Sequence, residues 1–399
     1  MNHFRKILAL VSAAAMLFSC TACSLNMRET YDQTNVSSTS SDKDAPSLTV
    51  AEKINDLNSS ENSAANQGPA VSAPESPTSE TPSEPDEIKQ VKIVITGDIK
   101  LDEAMIADAK ANAADGKEYA FLRMYTGAYR AINDADIAVG AYSAIGKPYG
   151  AEAEYEPPTE HLDALASVGY DLLDISGMGS DYRVMEEHGL NGFSDAESGD
   201  DAFKSITAEG YTFTFVSVGG ENCAQSYNDD KFYEDLEYAD LPADCLIVSV
   251  HWDEDMESED VDAIVKRLVS CGADVIVGYG DCLGRTEIVK ADDGSSAFVF
   301  YSVGDLLSSA EEGYCLCSAI VSLTFTATVS GDEEKYETSA SVIPTVVHYT
   351  AEKTNYCVYR LEEYTNELAR SHGSEVDVEG LTEYVKSKVS SVFLPESLR

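Results

Sequence analysis

Between Val91 and Gly280 the chain alternates continuous apolar runs with segments of helical spacing, and this alternation restricts its fold more than any other feature. The runs are VKIVIT at 91–96, DIAVGAY at 136–142, YDLLDIS at 170–176, YTFTFVSV at 211–218, DCLIVSVHW at 244–252 and DVIVGYG at 274–280. Short runs that are apolar throughout are typical of strands buried on both faces, and such strands, joined by helices, form largely parallel sheets. The sequence therefore predicts an α/β core.

Helical spacing separates these runs at residues 118–134, 159–168 and 258–271. Ser258 is a plausible N-cap of the last helix, because Glu259 and Asp260 would follow in its first turn, where the helix dipole favours anions. After residue 286 the pattern changes. A hairpin is predicted to turn at residues 292–294, followed by two long antiparallel strands and by helices near 361–371 and 381–392.

In open α/β sheets, binding and catalytic groups gather at the carboxyl ends of the strands. These ends are Gly97-Asp98, Ala141 to Ser143, Ser176 to Gly179, His251 to Asp253, Gly278 to Cys282 and Val303 to Asp305. Six segments of the chain are, in order, TGD, ADIAVGAYSAIGKP, GYDLLDIS, VSVHW, GADVIVG and FYSVGDL. In this order they resemble the CapA family, the poly-γ-glutamate capsule biosynthesis proteins. The resemblance covers about Val91 to Ser309. It implies a calcineurin-like metallophosphatase fold, a four-layered α/β/β/α sandwich.

The resemblance also implies a set of strand-end residues able to hold two metal ions, and most of that set is replaced here. Asp98 and His251 match the family pattern. Elsewhere Ala141 and Ser143 replace Asn and Glu, Met178 and Gly179 replace Asn and His, Tyr279 to Cys282 replace His-His-Pro-His, and Asp305 replaces Asn. Because a dinuclear centre needs several carboxylate and imidazole ligands, we expect the family's full two-metal centre to be absent.

A remodelled site for one divalent ion is the alternative. Such a site would be an oxygen-rich set of ligands suited to Ca²⁺ or Mg²⁺. Its members would be Asp98, His251, Asp281 and Asp305, with Asp253 or Asp102 nearby. Asp98 and His251 would then be the catalytic residues. The simpler interpretations are that Asp98 is a turn residue bonded to local amides and that His251 is a hydrogen-bonded, partly buried histidine.

The other histidines and cysteines indicate no second site. His161, His188 and His348 are predicted to be structural. Outside the N-terminal segment the cysteines are odd in number and form no C-x-x-C, which argues against a disulfide framework. Cys245 and Cys271 lie in apolar runs, whereas Cys282 lies where the family has a metal-binding histidine and could offer zinc a thiolate.

The first 23 residues are organised as an export signal. Arg5 and Lys6 precede an apolar stretch, Ile7 to Phe18, that is too short to span a bilayer. LFSCTACS resembles a bacterial lipoprotein signal, with Cys23 the first choice for lipidation and Cys20 the alternative. An ordinary secretory signal remains open. The prediction is an exported protein at the bacterial cell surface, anchored in the membrane by its lipidated N-terminal cysteine.

The predicted domains follow from composition. Residues 24–90 hold six of the chain's 12 prolines and hardly any aromatic residues, so we expect a disordered Ser/Pro/Glu-rich linker. The lipoprotein signal peptide occupies 1–23. A CapA-like domain is predicted over 91–350, and a C-terminal helical extension packed on it over 351–399.

Net charge limits the partners. With 71 acidic against 27 basic residues the formal charge is -44, which disfavours nucleic acid and other polyanions. Poly-γ-glutamate is itself a polyanion, so binding it would need bridging cations or a local basic patch. The candidates for such a patch are Lys100, Arg123, Arg130, Lys147 and Arg183.

Two functions of different class remain. The first is a surface-anchored CapA-like lipoprotein that no longer catalyses and that binds or organises a cell-envelope polymer or a protein partner. The second is a metal-dependent hydrolase of a phosphoester or γ-glutamyl amide with a remodelled site. A transporter's substrate-binding lipoprotein is disfavoured, because two similar α/β lobes are not evident.

Overall fold

A computed structural model describes residues 87–143, 158–176, 183–194, 203–220, 223, 225–253, 256–311, 313–331 and 333–399. The predicted signal peptide, with Cys20 and Cys23, lies outside these residues. So does the predicted linker up to residue 86.

Strands hold more of the described residues than α-helices do. They are β1 (Glu87–Ile99), β2 (Ile137–Tyr142), β3 (Leu172–Asp174), β4 (Asn191–Phe193), β5 (Phe203–Ala208), β6 (Tyr211–Val218), β7 (Cys245–His251), β8 (Val275–Tyr279), β9 (Thr286–Lys290), β10 (Ser296–Phe300), β11 (Asp305–Leu307), β12 (Cys317–Ser330), β13 (Glu333–His348) and β14 (Cys357–Arg360). The apolar runs of the sequence coincide with β1, β2, β3, β6, β7 and β8.

The helices are α1 (Glu103–Ala111), α2 (Thr126–Asn133), α3 (Glu160–Val168), α4 (Arg183–Glu187), α5 (Asp230–Asp240), α6 (Ser258–Ser270), α7 (Asn366–Ser371) and α8 (Val378–Lys388). Short 3-10 helices cover Phe121–Tyr125, Gly313–Leu316, Leu361–Glu363 and Glu396–Leu398. One predicted cap is wrong. Glu257, not Ser258, is the N-cap of α6, and its side chain makes no capping hydrogen bond.

The strands form two sheets. The first has the order β14-β13-β12-β1-β2-β3-β4, with β11 pairing on β1, and the second has the order β5-β6-β7-β8-β10-β9. In both sheets the central strands are parallel, as in β1 with β2 and in β7 with β8. The long strands β12 and β13 and the hairpin of β9 and β10 are antiparallel, as predicted.

The apolar core shows the order of the layers. Along β7, Cys245 and Ile247 belong to one buried cluster, which also includes the first sheet, whereas Leu246 and Val248 belong to a second cluster with α5 and α6. The sheets touch directly, since the rings of Phe213 on β6 and Phe325 on β12 lie 5.2 Å apart. Residues of α1, α2 and α3 also belong to the first cluster. The predicted α/β class and its four-layered α/β/β/α order are confirmed.

Two strands lie at the predicted edges of the domain. β1 begins at Glu87, before the predicted start at Val91, because Glu87 to Gln90 already pair with β12. The segment after residue 350 is not purely helical, since β14 adds a strand to the first sheet beside β13. Near the C-terminus, Phe393 packs on Phe298 and Phe300 of β10, which joins the last residues to the second sheet.

Candidate functional site

The carboxyl ends of strands from both sheets meet in one region, which is the candidate functional site. Asp174 at the end of β3 lies 3.0 Å from His251 at the end of β7, measured from Oδ2 to Nε2. Lys100, one residue beyond β1, contacts Asp281, two residues beyond β8. Each of these contacts joins the first sheet to the second, so the site lies where the two sheets converge.

Two carboxylates lie side by side on neighbouring strands. Asp98 and Asp305 are register partners across the parallel pair of β1 and β11, and both are buried. Glycines allow this approach. A Cβ atom at Gly97 would lie 2.0 Å from the carbonyl oxygen of Gly304, and Gly304 itself has a φ of +68°. The sequence TGD therefore places Asp98 against β11 because a glycine precedes it.

Burial dominates the electrostatics of this pair. It raises the pKa of Asp98, and the hydrogen bond from Ser143 and the attraction of Lys100 offset that effect only in part. Burial likewise raises the pKa of Asp305, to about 7, although the ammonium of Lys100 opposes it. Oδ1 of Asp98 is buried and has no hydrogen-bond partner among the described residues.

Lys100 places a positive charge on these acids. Its Nζ lies 2.5 Å from Oδ1 of Asp281 and 2.9 Å from Oδ1 of Asp305. The contact with Asp305 is an ion pair, and it opposes the effect of burial on the pKa of Asp305. Burial lowers the pKa of Lys100, but the attraction of Asp305 and the hydrogen bond to Asp281 outweigh burial, so the pKa is raised overall.

A second polar cluster surrounds Asp174, which is fully buried. Its Oδ1 accepts hydrogen bonds from the backbone amide of Ser176 at 3.0 Å and from its hydroxyl at 2.6 Å. Its Oδ2 accepts from Ser217 Oγ at 2.9 Å and pairs with His251. Burial alone would raise the pKa of Asp174, but the attraction of His251 and these hydrogen bonds lower it, so the carboxylate is held ionised. The ring of His251 stacks on Tyr279, with ring centroids 5.0 Å apart.

The predicted ligand set is brought to one region but is not arranged around one metal ion. Nε2 of His251 is directed to Asp174, and Asp281 and Asp305 pair with Lys100. Within the described ranges no group of three or more His, Cys, Asp or Glu side chains is placed to hold a metal ion. The residues present therefore do not fit a divalent metal centre, and we derive no reaction step through one. Met178 and Gly179 lie outside the described residues.

Three other candidates have different roles. Asp102 is the N-cap of α1, where its Oδ1 accepts from the amide of Met105 at 2.9 Å. The backbone amide of Asp253 donates to the hydroxyl of Tyr227. Cys282 forms a disulfide with Cys315, so the argument against disulfides was wrong for this pair, and the bridge leaves no thiolate at Cys282 for zinc.

The remaining histidines have contacts that suit structural roles. His161 is fully buried, with Nε2 2.7 Å from the Tyr125 hydroxyl and Nδ1 3.2 Å from that of Tyr142, and burial lowers its pKa to about 3. His348 bonds to Tyr364 at 2.9 Å, and burial lowers its pKa to about 4. His188 pairs with Asp163 at 2.6 Å.

The proposed basic patch is neutralised where the structure describes it. Lys100 pairs with Asp281 and Asp305, Arg123 with Asp108 at 3.4 Å, and Arg130 with Asp134 at 3.5 Å. Lys147 and the side chain of Arg183 lie outside the described residues. The three described cations therefore offer a polyanion little uncompensated charge.

Two central residues of the site were not recognised in the sequence as site residues. The sequence predicts Lys100 only as part of a basic patch, although it follows Asp98 by two residues. Asp174 interrupts the apolar run YDLLDIS. An ionisable residue within such a run requires a buried partner, and this feature of the sequence could have identified Asp174 as a site residue. Its partner on β7, His251, is distant in sequence and could not be inferred from spacing.

Comparison with known proteins supports the resemblance. The model of the family described as "Bacterial capsule synthesis protein PGA_cap" matches residues 187–310, which include His251, Asp281 and Asp305. The similarity to the capsule synthesis (CapA) family that the sequence motifs indicate is therefore confirmed over these residues. No curated protein shows a significant match to the chain.

Two solved structures show a distant similarity to the chain. A hypothetical protein from Thermus thermophilus is 12% identical, with a TM-score of 0.39, over 63% of this chain and 99% of that one. A novel phosphatase from Mycoplasma pneumoniae is 11% identical, with a TM-score of 0.38, over 64% of this chain and 95% of that one. Similarity at this level carries no argument on function. In the described part of the chain, no helix is both long and apolar enough to cross a membrane.

Proposed function

We propose that this protein is a surface-anchored, CapA-like lipoprotein of the bacterial cell envelope that has lost hydrolytic activity and serves as a binding scaffold. In this proposal the strand-end region keeps the architecture of a catalytic centre. Its described polar groups pair with one another and are not arranged to coordinate a metal ion. The partner is a cell-envelope polymer or a protein.

One observation supports the loss of catalysis: three of the four side chains predicted as metal ligands are already paired with other side chains of the protein. His251 is paired with the buried carboxylate of Asp174, and Asp281 and Asp305 with the ammonium of Lys100. A metal ion would have to displace these contacts, two of which involve the buried carboxylates of Asp174 and Asp305.

Export is supported by an independent observation. The disulfide between Cys282 and Cys315 is a kind of bond that persists in oxidising compartments and is rare in the cytosol. It agrees with the export signal predicted over residues 1–23. Lipidation can be tested by metabolic labelling with a fatty acid, which should be lost in Cys23→Ser and retained in Cys20→Ser. The opposite pattern would move the anchor to Cys20, and labelling retained in the double variant would exclude lipidation at either cysteine.

A metal-dependent hydrolase is the second candidate, and one observation favours it. Oδ1 of Asp98 is buried without a hydrogen-bond partner in the described residues, and this is the kind of atom that a bound cation would satisfy. The residues that would have to join Asp98, namely His251 and Asp305, are paired elsewhere. The scaffold proposal is therefore preferred.

Metal content separates the two candidates. The chain from residue 24 onward, purified without chelator, should contain no stoichiometric divalent metal by elemental analysis. It should also leave p-nitrophenyl phosphate, bis-p-nitrophenyl phosphate and a γ-glutamyl anilide unhydrolysed when Mn²⁺, Mg²⁺ or Zn²⁺ is added. Stoichiometric metal, or hydrolysis abolished by both Asp98→Asn and His251→Ala, would contradict the scaffold proposal and support the hydrolase.

Direct binding of poly-γ-glutamate can be tested separately. Because the described cations of the predicted patch are paired with acids, we expect no cosedimentation with the polymer at physiological ionic strength without divalent cations. Binding that appears only with millimolar Ca²⁺ would indicate bridging between two polyanions. Binding without divalent cations that weakens in Arg123→Ala would instead show that a basic patch exists.

A further inference from the structure

Two buried histidines lie in direct contact where the C-terminal segment attaches to the first sheet. His348 is the last residue of β13, and His372 directly follows α7. Their ring centroids are 5.3 Å apart, and the two residues are only 4% and 8% exposed. A proton on either ring would therefore be a buried charge, and protons on both rings would repel each other at short range. We call these two residues the histidine pair.

The hydrogen bonds of His372 require a neutral ring. Its Nδ1 accepts from the backbone amide of Ser374 at 2.8 Å, and its Nε2 donates to the carbonyl oxygen of Val347 at 3.1 Å. These partners fix the tautomer, because a backbone amide can only donate and a carbonyl can only accept. A proton added at Nδ1 would point at the N–H group of Ser374, so a protonated His372 loses that bond.

His348 is held in an equally unfavourable position for a proton. Its Nδ1 lies 2.9 Å from the hydroxyl of Tyr364, and its ring stands perpendicular to that of Tyr359, with centroids 5.8 Å apart. Burial lowers the pKa of His348 to about 4, and the neighbouring His372 lowers it further. Burial also lowers the pKa of His372. Both rings are therefore neutral near pH 7.

The charges around the histidine pair do not compensate an added proton. The ammonium of Lys353, in the turn between β13 and β14, lowers the pKa of His372, and it pairs with Glu311 at 3.0 Å. Within the described ranges neither ring bonds to a carboxylate. The other titratable groups of the packed elements are Tyr349 on β13, Tyr356 before β14, Tyr359 on β14, Tyr364 and Cys317 on β12. Tyrosine hydroxyls and thiols carry no charge between about pH 4 and pH 7.

His372 also anchors residues 366–374 to β13. Its ring packs on that of Tyr349, with centroids 4.6 Å apart, and the amide of Gly373 donates to the carbonyl of Tyr349 at 2.7 Å. A Cβ atom at Gly373 would lie 2.6 Å from the Tyr349 ring, so the segment lies as close to the strand as a glycine permits. Within the six residues of α7 only Ala369 is buried. The contacts of His372 therefore supply much of the attachment.

We propose that the histidine pair is an acid-sensitive switch: when it is protonated, residues 366–374 detach from β13 while the two sheets remain folded. This inference goes beyond the proposed binding role and does not depend on it. Both histidines have a lower pKa when the segment is attached, so the detached form takes up protons first. Attachment is therefore fully favoured above about pH 6.5 and is lost as pH falls towards about 4.

The chain beyond the segment has its own contacts, which limits the change to this region. Leu381 and Val385 of α8 are buried, and Phe393 packs on Phe298 and Phe300 of β10. Residues 366–374 can therefore open locally without release of the C-terminus, in the way that weakly packed segments open below the free energy of global unfolding.

The test is hydrogen exchange followed by mass spectrometry at pH 7 and pH 5, with rates corrected for the intrinsic effect of pH. The protein is the chain from residue 24 onward. We expect the protection of residues 366–374 to fall at least about tenfold between the two pH values. The pKa of about 4 for His348, against an ordinary value of 6.5, alone gives a fall of about 20-fold. At pH 5 the segment should also be at least about tenfold less protected than β7, whose exchange reports global unfolding.

The variant His348→Phe/His372→Phe keeps two aromatic rings but cannot be protonated there. Its fall in protection should shrink to less than about threefold. The matched control is His161→Phe, which removes another buried histidine, bonded to Tyr125 and Tyr142, and should leave the fall at residues 366–374 unchanged. Carboxylates titrate equally in all these chains, so they cannot produce the difference.

Three outcomes would overturn the inference. The first is a protection of residues 366–374 that does not fall between pH 7 and pH 5, and the second is a fall that persists in the double variant. The third is a segment as strongly protected as β7 at pH 5, which would mean that acid acts only through global unfolding. If the double variant does not fold, or lacks protection already at pH 7, His348→Phe decides. It keeps both backbone hydrogen bonds of His372, and a fall as steep as in the unaltered chain would then overturn the inference.

Discussion

Loss of the Cys282–Cys315 disulfide should lower the free energy of unfolding by about 3.7 kcal/mol. The bridge closes a loop with a sequence separation of 33, and the loop-entropy relation gives this value at 25 °C. The folded state should change little, because other contacts hold both ends. Ser302 Oγ donates to the carbonyl of Cys282 at 2.7 Å, and Cys315 lies in the 3-10 helix Gly313–Leu316.

The assay is urea unfolding followed by the fluorescence of Trp252, the only tryptophan in the chain. Dithiothreitol should destabilise the unaltered protein by about 3.7 kcal/mol and leave Cys282→Ser/Cys315→Ser unaffected, since the five other described cysteines form no disulfide within the described ranges. The double variant therefore controls for effects of the reductant elsewhere. The reasoning is refuted if dithiothreitol destabilises the unaltered protein by less than about 1 kcal/mol and the double variant is also less than about 1 kcal/mol less stable than the unaltered protein. The bridge would then not constrain the unfolded chain.

Three further predictions concern the buried polar groups. Between pH 7 and pH 5 the unaltered protein should lose about 2 kcal/mol of its free energy of unfolding through His161, and His161→Phe should not show this loss. The pKa of His161 is about 3 when folded, against an ordinary value of 6.5, so the unfolded chain binds the proton first and stability falls as pH drops from 6.5 towards 3; a pH-independent difference would contradict this. Asp174→Asn should destabilise the domain by about 3 kcal/mol in urea, because it removes the buried partner of His251; a change below about 1 kcal/mol would show that the pair is not important for stability. EDTA should leave the melting temperature of the unaltered chain unchanged in a thermal scan, whereas a fall of several degrees would reveal a bound ion.

The strands of the core were predictable because burial on both faces leaves a direct mark on the sequence. β2 is buried at every position and appears as the uninterrupted run IAVGAY, whereas β12 alternates buried and half-buried residues over its second half and was correctly predicted to be antiparallel. The start of β1 was missed because Glu87, Lys89 and Gln90 are polar, Ile88 is exposed, and the segment pairs only with β12. A strand of this kind is recognised from its partner and not from its own composition.

The location of the site was predictable, but its chemistry was not. Strand ends in an α/β fold indicate where polar groups collect, and Asp98, His251, Asp281 and Asp305 do lie in that region. Which of them pair with one another depends on contacts between distant residues. The pairs Asp174 with His251, Lys100 with Asp281 and Cys282 with Cys315 each join segments that only the fold brings together.

The replacements at the site form a consistent electrostatic arrangement. Buried carboxylates at converging strand ends need positive charge nearby, whether it comes from a metal ion or from a side chain. Here Lys100 supplies it for the buried Asp305 and also pairs with the exposed Asp281, while the buried Asp174 is hydrogen-bonded to His251. The histidines that the resemblance implies would have brought metal ions, so their absence leaves the acids to be neutralised by other means. In the proposed function, the ammonium of Lys100 supplies the positive charge that these acids need, and no metal ion is required for that purpose.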